Sequence, residues 1–147
     1  MTLTTKQQGN LGEVAALKAF LQKGMKVSLP YGDNASYDLI VEDYNGRLLK
    51  IQVKSCDSRN ADGVYRFSVT RKRINTQGNY KTSYTKNEVD LFLLYAVDID
   101  ELYLITYEEA GVSDISIRVT PPKKKGGTLP KMRDDFLFEN RFLEIFK

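Results

Sequence analysis

Four side chains stand out for what they could do together: Glu13, Asp38, Gln52 and Lys54. The last three follow the spacing D-x13-Q-x-K. Carboxylate and amide oxygens ligate hard cations such as magnesium, manganese or calcium. A lysine two residues beyond the amide, on the same strand face, sets a fixed positive charge beside such a site. Composition narrows the chemistry further. The 147-residue chain has no histidine and one cysteine, Cys56, which excludes Ser-His-Asp and Cys-His catalysis, multi-cysteine zinc sites and an internal disulfide framework. Acid–base groups must then be carboxylates, lysines or tyrosines. The formal charge of +3 favours anionic partners only mildly.

The elements that must position these groups follow from periodicity and turn chemistry. Ser36 to Asp43 and Arg47 to Ser55 read as two strands of a hairpin around Tyr44-Asn45-Gly46. A three-residue loop puts Gly46 at the left-handed position such loops need. Asp43 then faces Arg47, and Asp38 faces Gln52. One hairpin face collects Tyr37, Leu39, Val41, Leu49, Ile51 and Val53; the other carries Asp38, Ile40, Lys50, Gln52 and Lys54. A two-residue loop would turn Asp38 in among the apolar side chains, which is costly.

Thr5 to Lys23 reads as a helix stopped by Gly24, with Val14, Leu17, Phe20 and Leu21 at helical spacing. At about 100° per residue, Glu13 falls inside that apolar stripe. A carboxylate there is expensive unless a cation or lysine compensates it, so Glu13 is expected to reach across to the sheet. Further strands are expected at Met25–Leu29, Val64–Thr70, Val89–Val97, Leu102–Thr106 and Ile115–Val119. Arg71 to Asn87 reads as a polar, basic stretch, Pro121 to Arg133 as a basic loop, and Asp135 to Phe146 as a short helix with an extended tail. A helix followed by a mostly antiparallel sheet implies an α/β or α+β domain. No linker divides residues 1–147, which are expected to form one domain.

Glu13 on a helix, then Tyr37-Asp38-Leu39-Ile40, then Ile51-Gln52-Val53-Lys54 resembles the core of PD-(D/E)xK nucleases. With the Gly9-Asn10-Leu11-Gly12-Glu13 opening and the glutamine before Lys54, the sequence is most similar to bacterial group I intron homing endonucleases of that superfamily. Two departures stand out. Tyr37 replaces the proline usually written before the aspartate, and Gln52 replaces the second acid, offering an oxygen without a charge. The resemblance implies a central mixed sheet flanked by helices and a site-specific homing endonuclease that hydrolyses double-stranded DNA with Mg²⁺, for which Mn²⁺ could substitute. It implies that Asp38, Glu13, Gln52 and the Val53 carbonyl hold the metal, while Lys54 orients or deprotonates the attacking water and stabilises charge. Holliday-junction resolvases and restriction-type nucleases share the same core, and a non-catalytic DNA-binding protein could retain it.

Phosphate contacts are expected from Arg71, Lys72, Arg73 and Lys81, and from Lys123, Lys124, Lys125, Lys131 and Arg133 in the basic 121–147 region. Such charge runs equally serve as solvated faces. Tyr80 and Tyr84 could stack on nucleic acid. A plainer reading of the motif itself makes Lys54 and Asp38 a surface ion pair at a strand end. A domain of this size cannot read a long asymmetric site alone, so a homo-oligomer, dimer or tetramer, is expected. No membrane span or secretory signal is visible, and the default expectation is a cytoplasmic protein.

Overall fold

The computed structural model describes the chain except residues 1, 33, 76, 77, 125, 126, 128 and 147 and the side chains of 71–75 and 79–81. Thr4 opens helix α1 (Thr5–Gln22) through a capping box. Its hydroxyl accepts the Gln7 N–H at 3.1 Å, and the Gln7 side chain accepts the Thr4 N–H at 2.8 Å, filling two of the free donors at the helix start. Gly24, at φ +75°, turns the chain into strand β1 (Lys26–Ser28).

The hairpin of β2 (Leu39–Glu42) and β3 (Leu48–Cys56) has the expected register: Leu39 pairs with Ile51 and Glu42 with Leu48. Gly46 sits at φ +82°, the conformation that the three-residue loop demands. Leu39, Val41, Leu49, Ile51 and Val53 are buried, whereas Ile40, Lys50, Gln52 and Lys54 on the opposite face are only half-buried. Strands β7 (Leu91–Ala96) and β8 (Glu101–Thr106) complete a five-stranded sheet of order β1-β2-β3-β7-β8. β7 runs parallel to β3 while the other neighbours are antiparallel, so the sheet is mixed.

A parallel neighbour requires a crossover. The crossover from β3 to β7 carries strand β4 (Val64–Ser68) and a hairpin of β5 (Thr70–Asn75) and β6 (Gly78–Ser83). β4 pairs with β9 (Asp114–Arg118), which also takes the short parallel strand β10 (Lys131–Met132), making a second sheet. Short helices α2 (Tyr107–Ala110) and α3 (Arg133–Phe136) precede the C-terminal helix α4 (Phe138–Ile145).

Two cores result. In the first, α1 and α4 cover one sheet face, with Phe20 packed edge-on against Phe138 and Phe146. In the second, Tyr65, Phe67, Ile115 and Ile117 of the small sheet meet Phe92, Leu94, Tyr103 and Ile105 of β7 and β8. β7 alternates between them, Leu91 and Leu93 facing the first core and Phe92 and Leu94 the second. Burial on both faces explains its uninterrupted apolar run. Gln52 is paired with Phe92 and Lys54 with Leu94, so the polar residues of β3 share the second-core face.

Three expectations need correction. The stripe of α1 that faces the core is Gly12, Ala16, Ala19 and Phe20; Leu11, Val14 and Leu21 are exposed, and so is Glu13. Size decides the face. A Cβ at Gly12 would lie 2.3 Å from Ser55 Oγ and 3.3 Å from Val53 Cγ1, so the small residues let the helix settle onto β3, with the Ser55 hydroxyl donating to the Gln8 carbonyl at 3.2 Å. Second, the polar stretch from Arg71 contains the β5–β6 hairpin; its sequence shows no regular apolar alternation and so reads like a loop. Third, the extended tail is helical: Phe138, Phe142 and Phe146 recur every fourth residue and are buried together. Gly12→Val is expected to destabilise the fold by about 1–3 kcal/mol through overpacking and to displace Glu13; thermal melting checks this, and an unchanged midpoint would contradict the close approach.

Candidate active site

Asp38 enters β2 with its N–H donating to the Ile51 carbonyl at 2.9 Å. Its Oδ2 accepts the Val53 N–H at 2.9 Å, so the carboxylate is tied to the strand that carries Gln52 and Lys54. The Glu13 carboxylate, one residue after the Gly12 contact, lines the same recess as that of Asp38 and lies near enough for the two to perturb each other. Two carboxylates so placed cannot both hold a full charge at low cost unless a proton or cation lies with them. Partial burial, then the Asp38 charge, push the Glu13 carboxyl above its ordinary value. Burial likewise raises Asp38, against the opposing pull of the Val53 N–H, the Glu13 carboxyl and the Lys54 charge. Burial lowers Lys54, and Asp38 partly offsets that. An open recess of about 360 Å³ lies beside Glu13 and Asp38, with Leu29, Pro30 and Gly32 on its rim.

The end of Gln52 lies against the next carbonyl: its amide nitrogen donates to Val53 O at 3.4 Å. Lys54 extends from the same strand face, and its Nζ lies 3.4 Å from the Thr70 carbonyl oxygen and 5.3 Å from the centre of the Tyr84 ring. Two carboxylates, one amide and one backbone carbonyl are the oxygen set a hard divalent cation uses. Among the described residues no three His, Cys, Asp or Glu side chains cluster to hold a metal, so such an ion here would depend on the amide and carbonyl as well. The structure therefore brings together all four residues of the motif. Asp90, which has the right chemistry but a structural use, accepts the Lys50 N–H at 2.8 Å.

The basic residues separate. Lys123 and Lys124 are exposed and line a cleft with Arg66 and Arg118 of the second sheet; Lys131 lines an adjoining cleft with Lys124. Arg133 makes a forked pair with Glu101, Nε to Oε1 at 2.6 Å and to Oε2 at 3.0 Å, and also reaches Asp134 at 3.0 Å. Its guanidinium thus serves the fold. Arg71, Lys72 and Arg73 occupy β5, with Lys72 opposite Lys81 in the ladder; their side chains, and Lys125 altogether, lie outside the described residues. Tyr84 is 7% exposed and sits edge-on to Phe92 at 5.7 Å, so it is not placed to stack on a base. Thr70 and Tyr84 are the neighbours of Lys54 that local sequence does not reveal, since they lie across the crossover.

A family profile described as PD-(D/E)XK endonuclease matches residues 3–139. The fold is similar to that of a solved bacterial homing endonuclease, I-Ssp6803I, with a TM-score of 0.74 and 26% identity over 96% of this chain and 93% of that one. No curated protein matches the sequence.

Proposed function

The chain belongs to the PD-(D/E)XK endonuclease family, and from that premise we propose that it is a Mg²⁺-dependent, site-specific homing endonuclease hydrolysing phosphodiester bonds in double-stranded DNA. PD-(D/E)XK nucleases generally use divalent metals. The observation that carries the reading is that the Glu13 and Asp38 carboxylates line one recess, with the Gln52 amide, the Val53 carbonyl and Lys54 on the strand to which Asp38 is tied.

Glu13, Asp38, Gln52 and the Val53 carbonyl would hold the cation, with Mn²⁺ as a substitute. When bound, a divalent ion supplies Lewis-acid stabilisation of charge on the scissile phosphate and favours ionisation of the attacking water. Asp38 is held in one orientation by the Val53 N–H and lines the recess that Glu13 also lines. Lys54 brings a cation to the same site, where it orients the attacking water and stabilises the charge that builds on the phosphate. Gln52 contributes an oxygen without a charge, which leaves Glu13 to supply the second negative group.

Lys123, Lys124, Lys131 and the β5–β6 arm are the proposed DNA contacts. Lys123→Ala and Lys124→Ala are each expected to weaken DNA binding at all sequences and to reduce its salt slope by about 1; Arg133→Ala should lower the melting temperature and leave the slope alone. Fluorescence anisotropy across a salt series decides between them. We further propose that the chain acts as a homo-oligomer, dimer or tetramer, since exposed Leu11, Val14 and Leu21 along α1 form a face that a second copy could cover. Light scattering of Val14→Asp, expected to give a smaller species than the parent, tests this. Among the described residues no helix is long and apolar enough to cross a membrane.

Plasmids carrying candidate intron-insertion sequences, incubated with the protein and Mg²⁺ or with chelator, test the function itself. Cutting at one such sequence only with metal is the expected result. Cutting of branched junctions alone would replace homing by a resolvase role. Retardation of DNA with no nicking under any divalent ion would make the chain a binder rather than an enzyme.

A further inference from the structure

We propose that the root of the β5–β6 hairpin, through the Thr70 carbonyl and the face of the Tyr84 ring, is the device that positions the Lys54 ammonium group. The inference rests on the nuclease reading for its consequence, and on geometry for its substance. A lysine carries a compact charge on a flexible four-carbon stem with no preferred direction, so its position has to be imposed. Lys54 is half-buried, and its Nζ lies 3.4 Å from Thr70 O and 5.3 Å from the Tyr84 ring centre, within cation–π range.

The choice of partners matters. The Asp38 carboxylate attracts the ammonium group, but a carboxylate acting alone would hold it by neutralising it. A carbonyl and a ring face attract the cation while leaving its full charge available to a phosphate. Both partners are themselves fixed. Tyr84 packs edge-on against Phe92 at 5.7 Å, and its carbonyl accepts the Tyr107 hydroxyl at 3.2 Å. Phe92 is the ladder neighbour of Gln52, so the ring is referenced to the strand it serves. Thr70 pairs with Ser83 across the hairpin; on either side, the Val69 N–H donates to the Ser113 carbonyl at 3.1 Å and Ser83 Oγ donates to the Val112 carbonyl at 2.9 Å. Thr70 opens β5 and Tyr84 directly follows β6. The arm that carries Arg71, Lys72, Arg73 and Lys81 therefore begins and ends at Lys54.

Two measurements test this. In metal-free protein labelled with ¹³C-lysine, the Lys54 terminal methylene resonance, identified by its loss in Lys54→Met, should lie upfield of lysines that face no ring, as should those of Lys23 and Lys86, whose Nζ atoms lie 5.3 Å and 5.7 Å from the Phe142 and Tyr107 ring centres; only the Lys54 resonance should move to the ordinary position in Tyr84→Met and return in Tyr84→Phe. In single-turnover cleavage at saturating protein, Tyr84→Met should slow the reaction by about tenfold with DNA affinity unchanged; Tyr84→Phe, which keeps the ring, should rescue the rate. In a Lys54→Met background Tyr84→Met should cause no further loss. Absence of a Tyr84-dependent upfield shift at Lys54 overturns the proposal, as does a Tyr84→Met enzyme that cuts at the parent rate or loses as much in the Lys54→Met background. A protein that shows the shift and cleaves no DNA would count against the nuclease reading and leave the positioning intact.

Discussion

Lys54→Met is expected to slow DNA cleavage by about 10³-fold while changing DNA affinity less than threefold. One preorganised charge or donor at a developing oxyanion is worth about 10²–10³ in rate, and participation in proton transfer about 10²–10⁴. Lys54 is proposed to do one or both, so the middle of that range applies. Methionine is the appropriate replacement because it keeps the unbranched stem and can still pack on the Tyr84 ring. Affinity should persist because Lys54 is one half-buried cation, whereas binding is proposed to draw on several exposed ones such as Lys123 and Lys124. Stability should change little: losing the attraction to Asp38 is offset by no longer burying a charge, the cause that lowers the Lys54 ammonium below its ordinary value. Single-turnover nicking of supercoiled plasmid at saturating protein isolates the chemical step. A variant that nicks within tenfold of the parent would remove Lys54 from the chemistry and favour the plainer reading of a strand-end ion pair with Asp38.

How the motif assembles was legible where local rules leave one solution. Alternation on both strands and a glycine at the third loop position admit a single register for β2 and β3, and that register fixes Asp38 against Gln52 before any tertiary contact is considered. The placement of Glu13 was legible for an incomplete reason. Hydropathy points to the Val14–Leu17–Leu21 side of α1, but the helix docks through Gly12, Ala16, Ala19 and Phe20, with Gly12 allowing the close approach to Val53 and Ser55. Glu13 reaches Asp38 as the neighbour of Gly12, at the margin of the contact. What stayed hidden is long-range. Nothing local to Thr70 or Tyr84 indicates that both will meet Lys54, and of the partners that set Arg133 apart from the other basic residues of its run only Asp134 is local, the forked pair with Glu101 reaching to a strand of the main sheet. The β5–β6 hairpin was invisible for a different reason, since Arg71-Lys72-Arg73 and Asn79-Tyr80-Lys81 give its strands no apolar alternation to read.

Glu13→Gln should give opposite results with and without metal. In metal-free protein the folded-state values of Glu13 and Asp38 are both raised, from ordinary values of 4.5 and 3.8. The native state then holds these protons more tightly than the unfolded chain does, so stability falls as pH rises from those ordinary values through the raised ones, and the loss is complete above them. At pH 8 the parent carries that whole penalty. Glutamine keeps the shape, can donate to the Asp38 carboxylate and removes one of the two charges, so Glu13→Gln should melt a few degrees higher than the parent at pH 8 without divalent ions, with a flatter pH profile. On the proposed function, added Mg²⁺ should relieve the same repulsion in the parent, which should gain more from it at pH 8 than at pH 5, where protons compete for the same oxygens. The variant has less repulsion to relieve and one ligand charge fewer, so its gain should be small at both. Its cleavage rate should fall by about 10²-fold or more, because Gln52 offers no charge to replace the one removed. Calorimetry or dye-monitored melting across pH 5–8, with and without Mg²⁺, reads every part of this. Equal stabilisation of parent and variant by Mg²⁺ would place the cation elsewhere, and a variant less stable than the parent at pH 8 without metal would mean that the Glu13–Asp38 contact is an ordinary favourable hydrogen bond rather than a site waiting for positive charge.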